Sequence, residues 1–244
     1  MTNIEETSTM PIKIIAFDAD DTLWHNESIY VSAQTQFKQL LAHYHSPEWI
    51  EQHLYQTEMR NLAHFGYGIK SFALSMIETA VELTDGQITG ADIQKIIDIT
   101  KAMLAADVDL LDHVTDTLAS LKDSYTLMVI TKGDLRDQED KIARSGLAPY
   151  FRYVEIVSEK TPDSYAAILQ RYGIEPEQFL MIGNSLRSDI LPVLELGAGA
   201  VYVPHHLTWV HETGDASTIE QPGYFEIEHV GLLPELLKSL DHAS

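Results

Sequence analysis

The sequence predicts an α/β fold in which a Rossmann-like core, with a parallel sheet between two helical layers, is interrupted by an inserted all-helical cap domain. Two observations predict it. Short apolar runs rich in β-branched residues alternate with stretches of helical periodicity, which is typical of parallel strands covered on both faces. One long segment near the amino end breaks this alternation, because it contains helical patterns and no convincing strand.

Five apolar runs have the length and composition of buried strands. They span residues 12–17, 126–130, 153–157, 179–182 and 200–203. Helical stretches lie between and after them, at residues 116–121, 135–145, 162–172, 189–196 and 232–240. Three of these stretches end immediately before a glycine, the residue that helix C-caps favour. This alternation indicates an open parallel sheet, in which ligands bind beyond the carboxyl ends of the strands.

Four further helical patterns follow the first strand. They carry apolar residues at three-to-four spacing and span residues 31–44, 47–60, 69–83 and 91–106. The second begins with Ser46 and Pro47, which is the N-cap and first-turn signature of a helix. We therefore predict a helical cap over residues 28–109, above the carboxyl edge of the sheet. It is inserted into a core formed by residues 1–27 and 110–244.

The composition excludes several classes of partner. The chain has 16 Lys and Arg against 37 Asp and Glu, a formal net charge of −21 at pH 7. Such a surface repels phosphate backbones and anionic headgroups, so we expect neither a nucleic-acid nor a membrane partner. The absence of cysteine excludes disulfides, thiolate metal sites and cysteine nucleophiles. Since the first ten residues also lack the pattern of an export signal, we expect a cytoplasmic protein.

Polar residues directly follow four of the predicted strands. The four segments are Asp18-Ala19-Asp20-Asp21-Thr22, Thr131-Lys132-Gly133-Asp134, Ser158-Glu159-Lys160-Thr161-Pro162 and Gly183-Asn184-Ser185-Leu186-Arg187-Ser188-Asp189. Because the carboxyl ends of parallel strands meet at one edge of a sheet, these side chains are expected to converge. Together they supply the carboxylates, hydroxyl and ammonium groups that suit a hard cation and a phosphate dianion.

The first segment carries two carboxylates, Asp18 and Asp20, whose chemistry suits phosphoryl transfer. One carboxylate can attack phosphorus, and a neighbouring carboxyl can protonate the leaving oxygen and then activate water. Mg²⁺ prefers one or two carboxylates together with water and substrate phosphate. Thr131 can hydrogen-bond a phosphoryl oxygen, and Lys160 can neutralise charge on the nucleophile and the phosphoryl group. Taken singly, each residue also has a structural interpretation as a helix cap, turn or surface residue. Their conjunction favours a phosphoryl-transfer site.

The four segments resemble the motifs of the haloacid dehalogenase superfamily of phosphohydrolases. Residues 17–23, Phe-Asp-Ala-Asp-Asp-Thr-Leu, are similar to its first motif, Asp-x-Asp-Gly-Thr-Leu. Thr131, Lys160 and the segment from Gly183 to Asp189 resemble its second, third and fourth motifs and occur in the same order. The helical insertion after the first motif is similar to the family's subclass I (C1) cap, so the resemblance covers the whole chain.

This resemblance implies a Mg²⁺-dependent phosphatase that hydrolyses a small phosphorylated metabolite through an aspartyl phosphate. It implies that Asp18 is the nucleophile and Asp20 the general acid/base. The carboxylate of Asp18 and the backbone carbonyl of Asp20 are implied to bind the metal. The core residues expected to contact substrate are Thr131, Lys132, Gly133 and Lys160. The resemblance leaves the oligomeric state open.

Two positions depart from the family pattern. Asp21 stands in place of the motif glycine, and Asp tolerates turn conformations. Asn184 stands where most family phosphatases have a metal-binding Asp; its amide oxygen can still coordinate Mg²⁺, or Asp189 can supply the carboxylate. An Asn here also occurs in metal-independent 2-haloacid dehalogenases of the family, which makes dehalogenation an alternative. Asp20 argues against it, because a departing halide needs no acid. A non-catalytic protein that binds a phosphorylated ligand is the third hypothesis.

Two loops carry further candidate residues. Residues 65–70 join two predicted cap helices, where such caps place residues that select substrate, so Tyr67 and Lys70 are expected to contact it. The segment after the fifth strand contains His205, His206 and the pair His211-Glu212. These residues lack the His-Glu-x-x-His pattern of zinc hydrolases, and we expect a solvated loop there.

Overall fold

A computed structural model of the chain describes residues 12–207, 209–212, 219 and 221–242. Within these residues one parallel sheet of six strands has the order β3-β2-β1-β4-β5-β6. The strands are β1 (Ile14–Phe17), β2 (Thr126–Lys132), β3 (Tyr153–Val157), β4 (Phe179–Gly183), β5 (Gly199–Tyr202) and β6 (Tyr224–Glu226). The predicted α/β class with a parallel sheet is confirmed.

The position of β1 explains why distant residues meet. Phe17, its last residue, is paired with Val129 of β2 on one side and Ile182 of β4 on the other. Strand β3 lies beyond β2, with Thr131 in register with Ile156. The segments that follow β1, β2, β3 and β4 therefore emerge side by side at one edge of the sheet.

Helices cover both faces of the sheet. The core helices are α5 (Val114–Leu121), α6 (Leu135–Arg144), α7 (Pro162–Tyr172), α8 (Leu191–Glu195) and α9 (Leu233–His242). Ile15 and Phe17 of β1 lie in a buried cluster with residues of α5, α6 and α9, whereas Ala16 lies in a second cluster with residues of α7 and α8. Side chains of a strand point alternately to opposite faces, so the continuous apolar sequence of β1 serves both layers.

The inserted segment forms four helices with a hydrophobic cluster of their own. They are α1 (Glu27–Leu41), α2 (Pro47–Phe65), α3 (Ile69–Leu83) and α4 (Gly90–Ala105), hereafter the cap helices. Each contributes buried residues to the cluster, among them Phe37, Leu54, Met76 and Ile96. The predicted start of α2 is confirmed, because the Ser46 hydroxyl accepts a hydrogen bond from the Trp49 amide at 3.3 Å. The residue boundaries predicted between cap and core remain a prediction.

The chain leaves and re-enters the core through two adjacent segments. Trp24 forms an antiparallel bridge with Leu110, and the backbone of His25 donates to the carbonyl of Asp109 at 2.9 Å. The return segment is tied again where the amide of Leu111 donates to Leu23. These crossings fix the base of α1 close to the end of β1, which carries the first polar segment.

The predicted elements differ from the observed ones in detail. Strand β6 was not predicted, because its three residues are too few to produce a recognisable pattern. The helix predicted at 189–196 begins earlier as a π-helical turn, Leu186–Ile190, and continues as α8. No helix in the described ranges is both long and apolar enough to cross a bilayer. The amino-terminal segment judged to lack an export signal lies outside the described residues.

Candidate active site

Asp18 lies directly beyond β1 with its carboxylate held at both oxygens. Its backbone amide donates to the Ile182 carbonyl at 2.8 Å, which extends the pairing with β4 by one residue. Lys160 Nζ lies 2.5 Å from Oδ1, and the Thr22 hydroxyl donates to Oδ2 at 3.1 Å. Asp18 and Lys160 are 142 residues apart in the chain, and the order of the strands brings them together. The predicted convergence of these two residues is therefore observed.

Lys160 is buried between two carboxylates. Its Nζ also lies 2.7 Å from Oδ1 of Asp189, whose other oxygen accepts from the Ser185 amide at 3.0 Å. Asp189 fits against β4 only because residue 183 is glycine, since a Cβ there would lie 2.3 Å from Asp189 Cγ. The glycine of the fourth segment thus makes room for a carboxylate that orients the lysine.

Burial and charge oppose each other in this group. Burial raises the pKa of Asp18 to about 7, although Lys160 acts in the opposite direction. Burial alone would lower the pKa of Lys160, but the carboxylates of Asp18 and Asp189 outweigh it and raise that pKa. The lysine is consequently a fixed positive charge beside Asp18.

Asp20 points toward a different set of donors. Trp24 Nε1 donates to its Oδ1 at 2.7 Å and Gln138 Nε2 to its Oδ2 at 2.8 Å. Lys141 Nζ lies 3.0 Å from Oδ1 and also 3.6 Å from Asp137. Burial opposes the charge of Lys141, but Asp20 and Asp137 outweigh it and raise the pKa of Lys141. Asp20 is therefore oriented by three residues while its carboxylate still lines the cleft beside Asp18.

Asp21 joins the turn to the first cap helix. It adopts a left-handed conformation with φ of +59°. Glycine adopts this conformation readily, and Asp is one of the few other residues that tolerate it. Its carboxylate accepts from the amides of Asn26 at 2.8 Å and Glu27 at 3.0 Å, which are the first free donors of α1. Burial raises the pKa of Asp21 to about 6, even though these two amides act to lower it. Asp21, which stands in place of the motif glycine, thus caps the start of α1.

Oxygen atoms suited to a hard cation converge beside Asp18. The Thr22 hydroxyl lies within hydrogen-bond distance of both Asp18 Oδ2 and Asn184 Oδ1, at 3.1 and 3.3 Å. Thr22 has one hydroxyl hydrogen for these two oxygens, whereas the two oxygens of Asp189 each have a donor of their own, the Lys160 ammonium and the Ser185 backbone amide. No group of three or more His, Cys, Asp or Glu in the described residues has a metal-holding arrangement. The available donors are therefore one carboxylate, an amide oxygen and backbone carbonyls, which fits Mg²⁺ with water and phosphate.

The loop after β5 is partly buried against the core, so the expectation of a solvated loop is wrong for Glu212. Its carboxylate is ion-paired with Lys132 and accepts from the hydroxyls of Ser185 and Ser188, each at 2.5 Å. Burial would raise the pKa of Glu212, but Lys132 and the two hydroxyls outweigh it and lower it to about 2. Glu212 and Trp209 also line the cleft. Polar partners at the edge of the sheet explain why a hydrophilic segment is buried.

The loop between α2 and α3 seats the cap on the core. The Tyr67 hydroxyl donates to Glu159 Oε1 at 2.9 Å, and its ring lies 4.1 Å from Lys132 Nζ. Lys70 pairs with Asp134 at 2.7 Å and is not among the residues that line the cleft. Of the predicted contacts to substrate, Tyr67, Thr131, Lys132 and Lys160 line the cleft, whereas Lys70 and Gly133 do not.

The comparison with known proteins identifies the family of the chain. Residues 12–197, which include all four polar segments, match the family described as haloacid dehalogenase-like hydrolase. The chain belongs to this family. The crystal structure of a haloacid dehalogenase-like family hydrolase from Xanthomonas campestris is 40% identical, with a TM-score of 0.86. It covers 100% of this hydrolase and 97% of the Xanthomonas chain.

Two other relatives differ in the chemistry that their names state. N-acylneuraminate-9-phosphatase of Mus musculus is 26% identical over 174 residues, which make up 67% of this hydrolase and 66% of the mouse protein. The match therefore spans slightly less than two-thirds of that relative. A 2-haloacid dehalogenase from Pseudomonas syringae is 22% identical with a TM-score of 0.64, covering 94% of this hydrolase and 99% of that chain. This last likeness shows the shared fold alone.

The cap wall of the cleft in this hydrolase contains two acidic residues that the sequence did not single out. Burial, followed by the charges of Asp21, Glu58 and Asp20, raises the pKa of Glu27 to about 8. Burial also raises the pKa of Glu58 to about 8. Oε1 of Glu58 is buried and has no hydrogen-bond partner among the described residues. Both side chains line the cleft opposite the sheet edge.

Sequence reasoning also missed the residues that hold Asp20. Gln138 and Lys141 lie three positions apart on α6 and therefore share a face of the helix. That face is buried although it is largely polar, with Asp137, Gln138 and Lys141 beside Ile142. A helix that packs on a sheet yet carries so few apolar residues is the signal that would have predicted a polar role for this hydrolase's α6.

Proposed function

We propose that the protein is a Mg²⁺-dependent phosphatase that hydrolyses small phosphate monoesters through an aspartyl phosphate on Asp18. The observation that carries this proposal is the pairing of two carboxylates with different partners in one cleft. Asp18 is held by Lys160 and Thr22, whereas Asp20 is held by Trp24 and Lys141. Separate partners allow two neighbouring carboxyl groups to take the separate roles of nucleophile and acid/base.

In the first step, a carboxylate oxygen of Asp18 attacks phosphorus and the bond to the leaving oxygen breaks. Asp20 donates a proton to that oxygen, so the leaving group departs as an alcohol. Lys160 remains charged beside Asp18 and attracts the phosphoryl oxygens, and Thr131 is buried in the same cleft, where its hydroxyl can donate to them. Asp18 now carries the phosphoryl group as a mixed anhydride.

In the second step, water attacks phosphorus and the anhydride bond to Asp18 breaks. Asp20 accepts the proton of that water, which restores its protonated form for the next cycle and releases inorganic phosphate. The contacts of Trp24 and Gln138 with Asp20 hold its carboxylate in place for both transfers. The acid/base residue thus begins and ends the cycle in the same state.

Mg²⁺ would be held by the carboxylate of Asp18, the backbone carbonyl of Asp20 and the amide oxygen of Asn184. When bound, the cation supplies positive charge that stabilises the phosphoryl oxygens in the transition state. We assign the third ligand to Asn184 rather than Asp189, because each Asp189 oxygen has a donor of its own, whereas Asn184 Oδ1 and Asp18 Oδ2 share the single hydroxyl hydrogen of Thr22. The carboxylate of Asp189 then serves to orient Lys160.

Metal-independent dehalogenation of 2-haloacids is the second candidate, and Asn184 favours it. The argument against dehalogenation is the number of side chains that hold Asp20 in place. Three side chains orient this carboxyl group, yet a departing halide requires no proton. The mouse relative is a phosphatase, which also supports the first proposal.

The test is to assay the purified protein against a panel of phosphate monoesters and against 2-chloropropionate, with Mg²⁺ and with EDTA. We expect phosphate release that requires Mg²⁺ and no halide release. The Asp18→Asn variant should lose turnover while keeping its circular-dichroism spectrum. Halide release in EDTA would establish the dehalogenase instead. No turnover together with no binding of beryllofluoride at Asp18 would favour the non-catalytic, ligand-binding protein.

A further inference from the structure

The cleft extends from Asp18 at the sheet edge to the cap helices, where the leaving group of a bound ester would lie. It encloses about 160 Å³. Leu62 and Phe72 supply apolar surface on the cap side, with the Tyr30 ring packed on Phe72 at a centroid distance of 5.1 Å. The carboxyl groups of this wall, in the described part of the chain, are those of Glu27 and Glu58. The leaving-group end is thus apolar and acidic.

The cations of the cleft are all on the core side and all engaged. Lys160 is paired with Asp18 and Asp189. The two others that line the cleft behave in the same way: Lys132 pairs with Glu212, and Lys141 pairs with Asp20 and Asp137. None of these three ammonium groups belongs to a cap helix, so none lies on the wall that would face a leaving group.

The other basic residues of the chain lie away from the cleft. Every Lys and Arg of the chain lies within the described residues, and the remaining ones do not line the cleft. Arg187 is exposed, and its Nη1 lies 3.3 Å from His211 Nδ1. Lys70 is paired with Asp134, and Arg60 with Glu78 and Glu82 on the outer surface of the cap. A negatively charged leaving group would therefore enter a pocket without a counter-ion.

Two physical consequences follow for the leaving group. A leaving group that carries a carboxylate would bury this charge in the pocket without a cation, which is costly. Protonation of Glu27 or Glu58 removes their repulsion of that carboxylate but supplies no positive charge. Glu58 Oε1 is buried without a partner, so a hydroxyl or ammonium group that donates to it would satisfy an otherwise unpaired polar atom. The pocket therefore penalises one kind of leaving group and rewards the other.

We propose that the cleft selects phosphate monoesters whose leaving group carries no negative charge and donates hydrogen bonds to Glu27 and Glu58. This inference rests on the proposed phosphatase function and deepens it. Alcohols that bear further hydroxyl or amino groups fit the pocket. Hydroxy acids, and alcohols that carry a second phosphate, do not. The same charge balance disfavours 2-haloacids, since these are carboxylates.

The test compares leaving groups of equal size that differ only in the charge of their far end. The substrates are 2-hydroxyethyl phosphate, phosphoethanolamine and 2-phosphoglycolate, with the four-carbon analogues of each, assayed with saturating Mg²⁺. We expect kcat/KM for the hydroxyl and ammonium esters to exceed that for the carboxylate esters at least about tenfold, a factor that corresponds to about 1.4 kcal/mol. Carboxylate esters hydrolysed as efficiently as the hydroxyl esters would overturn the proposal.

Variants assign the selectivity to the cap wall. Glu58→Gln should lower kcat/KM for the ammonium esters relative to the hydroxyl esters, and Glu58→Lys should raise it for the carboxylate esters. Glu51→Gln, on the exposed face of the same helix, is the matched control and should leave these ratios unchanged. Equal ratios in wild type and Glu58→Gln would remove Glu58 from the proposal.

The two proposals fail in different ways. If no ester releases phosphate, including p-nitrophenyl phosphate, the phosphatase function fails and the selectivity with it. If phosphate is released from p-nitrophenyl phosphate and from all end groups alike, the phosphatase stands and only the selectivity is overturned.

Discussion

The Lys141 ammonium lies 3.0 Å from Asp20 Oδ1 and 2.8 Å from Asn26 Oδ1, and the side chain is largely buried in the wall of the cleft. Asn26 immediately precedes α1, so this one lysine of α6 ties the proposed acid/base residue to the point where the chain enters the cap. Trp24, between them, donates to the same oxygen of Asp20. Lys141 acts on the reaction through Asp20 and is therefore a positioning residue.

Replacement of Lys141 by Gln should impair turnover more than substrate binding. We expect kcat to fall about 10- to 100-fold with little change in KM, because general acid–base catalysis contributes about 10²- to 10⁴-fold and depends on the placement of the proton donor. Steady-state kinetics with a monoester measure both constants. Lys141→Arg should restore part of kcat, and Lys101→Gln, at an exposed position, should have no effect. An unchanged kcat in a folded Lys141→Gln variant would refute the positioning role.

The close approach of Gly183 and Asp189 gives a second prediction. A Cβ at residue 183 would lie 2.3 Å from Asp189 Oδ2, so Gly183→Ala must displace the carboxylate that orients Lys160. We expect a loss of about 1–3 kcal/mol in the free energy of unfolding, as for overpacked cores, together with a lower kcat. Urea denaturation measures the first and phosphate release the second. Gly90→Ala, where a Cβ meets open space, is the control; wild-type stability in Gly183→Ala would contradict the crowding argument.

Five of the strands and several residues that line the site were predictable for the same reason. Continuous apolar runs indicate strands that are buried on both faces. Polar residues at the ends of these strands indicate the edge where ligands bind, so local sequence was enough to find Asp18, Thr131, Lys160 and Asn184. Strand β6 was not predictable, since three residues carry no periodicity. The helical cap was visible because its amphipathic patterns are long.

The supporting residues were hidden because their roles depend on tertiary contacts. Glu212 lies in a polar segment that reads as solvated, and only the fold brings it to Lys132 and Ser188. Glu58 occupies one position of a helix that is amphipathic in any case, and nothing in α2 distinguishes it from the exposed Glu51. Sequence patterns predict which face is buried, but not which polar side chain faces a cleft.

Glu58 predicts a pH dependence of stability. Its pKa in the folded protein, about 8, is above the ordinary value of 4.5, so the folded state retains this proton over that interval. The free energy of unfolding therefore falls as pH rises from about 4.5 through about 8. The stabilising contribution of the protonated Glu58 is fully present only below that range. Glu58→Gln should flatten this slope and stabilise the protein by up to about 5 kcal/mol at pH 9 while changing little at pH 5.

Thermal or urea denaturation across pH 5–9 measures this effect. Glu51→Gln is again the matched control, because Glu51 is exposed on the same helix and should leave the slope as it is in wild type. A Glu58→Gln variant whose stability falls with pH as steeply as wild type would show that Glu58 does not titrate in this interval.

The competing assignments of Asn184 and Asp189 give the last prediction. Asn184 Oδ1 shares the Thr22 hydroxyl with Asp18, whereas Asp189 is saturated by Lys160 and Ser185. Asn184→Asp should tighten Mg²⁺ binding about tenfold, because the number of charged ligands sets affinity for hard cations. Asp189→Asn should leave Mg²⁺ affinity nearly unchanged but cost about 3–5 kcal/mol of stability, since it removes one counter-ion of a buried ammonium.

Isothermal titration with Mg²⁺ and urea denaturation separate these two effects without any turnover. Asp98→Asn, at an exposed position of α4, controls for the loss of a surface carboxylate and should alter neither measurement. Weaker Mg²⁺ binding in Asp189→Asn, with unchanged affinity in Asn184→Asp, would reverse the assignment. Asp189 would then be the metal ligand, and its ion pair with Lys160, 2.7 Å long in this structure, would be weakened by repulsion between the ammonium and the bound cation.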